Sequence, residues 1–427
     1  MAEIKPFRAL KYQPSKSGPL EEVTCDPYDV VSEDKRKSYL DRNPYNLIRL
    51  ELPKGDTPYQ TAAALLKEWI SSGILKKDPM DAIYIYEEEF SVGESVKKVK
   101  GIICRVRLEE FSKGIIVPHE ETLGKAKEDR FCLMKETACN FSPIYSLYSD
   151  PAHITRTQLD TLSNQHPDIE MTDDSLVTHR LWTITDKPAI NELCHQFRNR
   201  RLYIADGHHR YETALRYRDD NRTNGTFPLN GADESIMMML VDMENEGLVV
   251  FPTHRLIHGL KEFNAFDVLS KCIPYFTLTD QKGASSIEPT LASYYEKGEK
   301  AFAFYQGDGN WTLMVQKDKN TLKKLFPEKN NAVCTLDVTI LHSLILNRIL
   351  GIDEENMKNQ TNLHYTRSFQ EAISAVDAGE SQCAFLLNPT KVSEILDVAA
   401  AGEKMPQKST YFYPKLLTGL VINDLTE

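Results

Sequence analysis

Apolar positions recur along this chain in two rhythms, one near two residues and one near 3.6. Ala82 to Phe90 and Val99 to Leu108 alternate and are rich in β-branched residues, and Val92-Gly93-Glu94 between them predicts a hairpin. Thr57-Pro58 opens a helix whose apolar face is Ala62, Leu65, Leu66, Trp69 and Ile70, with Gly73 as its end. Phe141 to Tyr148 and His179 to Ile184 read as short strands, and Pro188 opens a helix through Ile190, Leu193 and Phe197. Arg201 to Ala205 reads as a buried strand; Asp206-Gly207 is a turn signal, and Tyr211, Ala214, Leu215 and Tyr217 then return at helical spacing. The stretch Asp219 to Gly231 looks turn-rich and exposed. Ser235 to Met243 and Gly247 to Pro252 predict a strand pair that presents Pro252-Thr253-His254-Arg255 at a strand end.

From about residue 263 the texture changes to helix-then-strand units. Ala292 to Gly298 runs into Ala301–Tyr305, and Ala372 to Gly379 runs into Cys383–Leu387, each with a glycine as helix end. Between them Asp337 is expected to cap a helix carrying Val338, Leu341, Leu344, Ile345 and Ile349, and a last helix follows Asn388-Pro389-Thr390 up to Gly402. The pattern gives an α/β (α+β) fold with an N-terminal α/β region at 1–115, a core at 116–262 and a C-terminal α/β domain at 263–427.

At 427 residues the chain is long enough for two or three domains. Its net charge of −11 argues against a broad nucleic-acid surface, and no stretch is apolar enough to span a bilayer. The N-terminus lacks a signal peptide's apolar run, and eight cysteines lie scattered without a Cys-x-x-Cys pair, so the expected location is the cytoplasm.

Candidate chemistry gathers at four places. The strand–turn–helix at Asp206-Gly207-His208-His209-Arg210 would aim backbone amides and the helix dipole at one spot, beside two imidazoles and a guanidinium, a combination suited to phosphate. The same pattern serves equally as an ordinary helix cap. Pro118-His119-Glu120 precedes the cations Lys125, Lys127 and Arg130, an acid beside bases as phosphoryl transfer requires. Thr253, His254 and Arg255 could meet a small anionic substrate group, the alternative being a surface turn. Lys408-Ser409-Thr410 offers a cation and two hydroxyls in a proline-bounded segment. Cys25-Asp26-Pro27-Tyr28-Asp29-Val30-Val31 and Asn43-Pro44-Tyr45-Asn46 read as loops at a pocket rim or as plain surface turns. Neither a Gly-x-x-x-x-Gly-Lys-Ser/Thr loop nor a Gly-x-Gly-x-x-Gly loop is present.

Ile204-Ala205-Asp206-Gly207-His208-His209-Arg210 and Pro118-His119-Glu120 resemble the motifs of free serine kinases of the ParB/sulfiredoxin-like superfamily. Lys297-Gly298-Glu299, Ala301-Phe302-Ala303, Asn388-Pro389-Thr390 and Lys408-Ser409-Thr410 are similar to segments of their C-terminal part. Over its whole length the chain looks like the bacterial family labelled domain of unknown function one-thousand-and-fifteen, with Pro27-Tyr28-Asp29-Val30 near one end and Lys408-Ser409-Thr410 near the other. The resemblance implies a ParB/sulfiredoxin-like core and a phosphotransferase on free L-serine or O-phosphoserine. It implies ADP or ATP as donor and Mg²⁺ as cofactor. It makes Glu120 the base and has Asp206 hold the metal or orient phosphates. His208 and His209 join them in catalysis. Gly207, His209, Arg210, Lys125, Arg130, Lys408, Ser409 and Thr410 bind nucleotide, while His119, Thr253, His254 and Arg255 meet the substrate. The kinases' serine-contacting tryptophan has no counterpart in Pro252-Thr253-His254-Arg255. Partners are then small molecules, with nucleic acid disfavoured, no membrane, and a homodimer allowed for. A non-catalytic nucleotide regulator and a ParB-like DNA-binding protein are the competing readings.

Overall fold

The computed structural model describes residues 1–120, 124–225 and 231–426. It is a mixed α/β protein that divides into two compact units, neither of them a continuous stretch. The first comprises residues 1–118, 122–249 and 414–427, and the second comprises 119–121 and 250–413.

Among the described residues, nine strands form the main sheet of the first unit. They are β1 (Ile4–Lys5), β2 (Ile83–Val92), β3 (Ser95–Arg107), β4 (Ile116–Val117), β5 (Ile144–Tyr148), β6 (Ile169–Thr172), β7 (Thr178–Ile184), β8 (Leu202–Asp206) and β9 (Ser235–Asp242). The order is β4-β8-β5-β9-β3-β2-β7-β6, with β1 added on β3. The expected hairpin is β2 and β3, closing at Val92↔Ser95. Both strands are buried almost continuously over their central residues rather than alternating, which marks them as interior. Helices α1 (Pro58–Ser71), α2 (Gly124–Thr137), α3 (Lys187–Phe197) and α4 (His208–Asn224) belong to this unit. Helix α1 buries Ala62, Leu66 and Trp69, whereas Ile70, expected on the same face, is 40 % exposed.

Two expectations fail here, and tertiary contacts decide both. β9 does not pair with the strand that follows it; it runs antiparallel to β3 and parallel to β5. Helix α4 also continues through Asn224 and ends at Gly225, in left-handed backbone, so Asp219 to Asn224 is helix rather than turn. Its buried Arg218 and Asn221 lend that last stretch polar anchors that periodicity of apolar residues does not reveal.

The second unit holds a six-stranded sheet built from β10 (His254–Ile257), β11 (Phe276–Lys282), β12 (Ala301–Gly307), β13 (Asn310–Gln316), β14 (Leu363–Thr366) and β15 (Cys383–Leu387). The order is β11-β13-β12-β15-β10-β14. Thr253-His254-Arg255 therefore runs into an interior strand rather than forming a surface turn. Helices α5 (Ile287–Glu296), α6 (Phe369–Asp377) and α7 (Val392–Ala400) follow the expected pattern, and Gly298, Gly379 and Gly402 take the left-handed backbone after them. Asp337 does not cap its helix: its carboxylate pairs with Lys300 at 2.7 Å. The helix it begins turns at Leu341 into a π-helical segment through Asn347, carrying His342.

Candidate functional site

The side chains singled out in the sequence fall into two sets, one in each unit. In the first unit, β8 meets β5 with a register shift between Ile204 and Asp206, a bulge that re-aims the strand's last side chain. Gly207 follows at φ 97°, and α4 starts at His208. A Cβ at Gly207 would lie 2.9 Å from Nη2 and 3.1 Å from Nε and Cζ of Arg210, so the guanidinium lies flat against the turn and only glycine leaves it room.

That guanidinium is buried and held through both terminal nitrogens, its Nε having no hydrogen-bond partner among the described residues. Nη1 donates to Ser142 Oγ at 2.8 Å and to the Pro143 carbonyl at 2.7 Å, and Nη2 donates to Asp206 Oδ2 at 3.0 Å. Asp206 Oδ1 accepts from Lys415 Nζ. Burial works to raise the Asp206 carboxyl, but Lys415 and Arg210 overcome it, aided by His208, and hold it well below the usual carboxylate range. Asp206 is thus a fixed anion between two cations. Both its oxygens are engaged, and among the described residues no three His, Cys, Asp or Glu side chains gather as metal ligands do. Mg²⁺ is held through one or two carboxylates together with substrate phosphates, and Asp206 would have to give up Lys415 or Arg210 to hold it.

Arg130 and Arg210 line one cavity of about 40 Å³ with Glu51, Asn140, Ser142 and Thr213. Arg130 donates to the Glu51 carbonyl at 2.9 Å and lies 4.3 Å over the Tyr28 ring. Burial raises the Glu51 carboxyl, against the lowering pull of Arg130 and Arg210. His208 is buried and His209 half-buried on the first turn. The side chain of Lys125 lies outside the described residues.

Glu51 and Lys415 escaped the sequence reading, whereas Ser142 lies in the Phe141–Tyr148 stretch expected to pack beside the site. An acid between Leu50 and Leu52 was the available signal for Glu51. Lys415 sits a few residues past the more conspicuous Lys408, and nothing local marks it as the partner of Asp206.

In the second unit, His119 and Glu120 meet the 405–410 segment. The Met405 amide donates to the His119 carbonyl at 2.7 Å, and His119 Nε2 is 3.0 Å from Thr410 Oγ1. Glu120 Oε1 accepts the Lys408 amide. Lys408 holds φ 58°, a left-handed backbone that costs a non-glycine residue about 1 kcal/mol. Its carbonyl accepts from Arg255 Nη2 at 3.0 Å, so one peptide neighbourhood is gripped from both sides. The Ser409 hydroxyl turns inward to the Pro406 carbonyl, leaving Lys408 as the exposed member of the trio.

Arg255 is 0 % exposed and donates to His342 Nε2 at 3.2 and 3.0 Å and to the Thr253 carbonyl. Burial pushes it down to about 10, with Tyr365 and Glu120 countering. His254 is equally buried, accepts the Leu387 amide at 3.4 Å and packs on Phe369 at 4.3 Å. His254 is thus a core position, its Nε2 without a hydrogen-bond partner among the described residues.

These features define a mixed α/β protein with a cation-flanked strand–glycine–helix turn. The chain belongs to the family described as Protein of unknown function (DUF1015), whose model matches residues 4–339. No curated protein matches the sequence. Among solved structures, the chain is similar to a conserved hypothetical protein from Pyrococcus furiosus at 13% identity, over 73% of this chain and 90% of that one, with TM-score 0.35. It is similar to a free serine kinase in complex with AMP at 13% identity, over 77% and 92%, with TM-score 0.39. SbnI with a C-terminal truncation from Staphylococcus aureus matches at 10% identity, over 76% and 84%, with TM-score 0.33. Overlaps this loose leave the activities of those proteins their own. Among the described residues no helix is long and apolar enough to cross a membrane.

Proposed function

We propose that this chain is a small-molecule phosphotransferase of ParB/sulfiredoxin-like fold, acting on free L-serine, or on O-phosphoserine in reverse, with ADP or ATP as the nucleotide. The observation that carries this reading is the Asp206–Arg210 turn. Glycine in left-handed backbone, a guanidinium packed flat on it and a helix start directly after it make a preorganised cradle for an anion. Phosphoryl transfer asks for little else than such positioning and charge neutralisation.

Asp206 keeps Lys415 and Arg210 in place, so its role is to orient cations toward the phosphates. His208, His209 and Arg130 add positive or donor character, and Lys408 supplies the exposed cation of its segment. Glu120, matched by motif, accepts the proton of the acceptor hydroxyl; to do so it exchanges the Lys408 amide for the substrate oxygen, which must come within hydrogen-bond reach. Thr253 and Arg255, gathered near Glu120 in the same unit, shape the substrate end.

Incubation with serine and a panel of nucleotides, read by mass spectrometry, tests the proposal. Phosphoserine formed together with AMP or ADP supports it, and Glu120→Gln should then lose at least a hundredfold in turnover while still binding nucleotide. Tight nucleotide binding without product in any direction would replace the kinase with a nucleotide-binding regulator.

A further inference from the structure

The cavity of about 40 Å³ in the first unit is walled by hydrogen-bond donors that the protein itself leaves unused. Arg210 is 9 % exposed and spends Nη1 on Ser142 and Pro143 and Nη2 on Asp206, yet its Nε–H has no partner among the described residues. Asn140 is also buried. Its Oδ1 accepts from the Met237 amide and from Asn423 Nδ2, while its own Nδ2 donates to nothing among the described residues. The Ser142 hydroxyl accepts from Arg210, and its proton reaches no acceptor among the described residues. Arg130 gives Nε and Nη2 to Asp129 and Nη1 to the Glu51 carbonyl, so each terminal nitrogen keeps a hydrogen to offer.

One carboxylate stands against these donors. Glu51, 3 % exposed, ends the helical turn Ile48–Glu51 and lines the same cavity. Its Oε1 lies 3.4 Å from Arg130 Nη1, and neither of its oxygens accepts a hydrogen bond among the described residues. Buried donors without acceptors are costly, and so are buried carboxylate oxygens without donors. A single occupant that accepts on several sides and donates on one relieves them all.

Size and charge narrow the choice. One water needs about 10–15 Å³, so the cavity has room for about three oxygens, as many as one face of a tetrahedral oxyanion presents. Arg130, Arg210 and Lys415 are matched by Glu51, Asp129 and Asp206, so the surroundings are close to neutral. Recognition therefore rests on hydrogen bonds rather than on net charge. Sulfate and halides accept but have no proton to give to Glu51; a phosphate that retains one proton does both.

We propose that this cavity is a subsite for a protonated phosphate group, with its anionic oxygens on Arg130, Arg210 Nε, Asn140 Nδ2 and Ser142 Oγ and its P–OH donating to Glu51. The subsite deepens the phosphotransferase reading, on which it rests for the assignment of Arg130 and Arg210 to phosphate, and it makes Glu51 the residue that selects the protonated ion. Free phosphate keeps a proton in mildly alkaline solution, whereas a phosphate ester gives up its last one at about pH 6.

The test titrates the full chain in calorimetry at about pH 8 without nucleotide, once with inorganic phosphate and once with sulfate. The two are dianions of the same shape, and phosphate alone carries a proton. Phosphate should bind at least tenfold more tightly than sulfate. Glu51→Gln, whose amide donates to either ion, should bring the two within about twofold by tightening sulfate. Equal affinities in the wild type overturn the proposal, and so does binding of neither ion, the cavity then holding water; neither result needs a variant to fold. A phosphate preference that survives in Glu51→Gln, with both affinities reduced alike, makes Glu51 a tether of Arg130 and overturns its selecting role. ADP that expels the bound phosphate would make a terminal phosphoryl group the tenant, and ADP that binds beside it would make free phosphate the tenant. Absence of turnover with every nucleotide would remove the phosphotransferase and leave the preference for phosphate over sulfate standing.

Discussion

Replacing Gly207 by alanine separates a phosphate cradle from an ordinary helix start. The new methyl costs about 1–2 kcal/mol for left-handed backbone alone. It also meets Arg210 Nη2 at 2.9 Å, and the guanidinium cannot yield without stretching its bonds to Ser142, Pro143 and Asp206. Losing one hydrogen bond of a charged group costs about 1.5–3 kcal/mol more. The expected total is about 3 kcal/mol. Gly225 at the other end of the same helix is the control: its φ is 63° and an added Cβ meets nothing within 4 Å, so its alanine variant carries backbone strain only. Trp69 and Trp182 lie in the first unit, so urea unfolding followed by fluorescence in a Trp311→Phe background reports that unit. Gly207→Ala should unfold earlier than Gly225→Ala by about 2 kcal/mol and weaken ADP binding at least tenfold in calorimetry, about 1.4 kcal/mol. Equal midpoints for the two variants would show that the guanidinium does not rest on the turn, and the cradle would fall with it.

Other outcomes follow from the same geometry. Lys415→Met should leave buried Asp206 to Arg210 and His208, costing about 2–3 kcal/mol in urea unfolding and raising the Asp206 carboxyl, measurable by carboxyl ¹³C NMR; unchanged stability would deny the pairing. His254 is held at about 3 by burial and then by Arg255, against an ordinary 6.5, so the unfolded chain takes its proton first and His254 alone withdraws about 2 kcal/mol from the second unit between neutrality and pH 5, with His342 adding to the fall for the same two reasons. His254→Phe should make that fall shallower by about 2 kcal/mol, and an equally steep acid limb in the variant would contradict the assignment. His119→Ala should free the Thr410 hydroxyl and speed amide exchange at Met405 and its neighbours, while an unchanged exchange pattern would mean that the 405–410 segment is held by other contacts.

The sequence disclosed the turn at Gly207 because everything it needs is local: apolar residues before it, a glycine, then helical spacing. Helices after Thr57, from Pro188, around Ala292 and after Asn388 were legible for the same reason, as was the hairpin around Gly93. The strand after Glu246 was legible but its partner was not, since its pairing with residues 411–413 spans more than a hundred and fifty positions. The charged pairs were hidden too. Asp206 finds Lys415 and Lys300 finds Asp337, and no periodicity encodes a partner that far away.

Taken alone, the chain determined its rhythm of helices and strands, its α/β character and the chemistry on offer at His119-Glu120 and Asp206–Arg210, because backbone preference and capping act over a few residues. Only the tertiary structure decided which carboxylates are buried, which cations neutralise them, and that Glu51 and Asn140 line one cavity with Arg130 and Arg210. Burial and ion pairing depend on what the rest of the chain brings to a point in space, and that is settled by sheet order and packing rather than by neighbours in sequence.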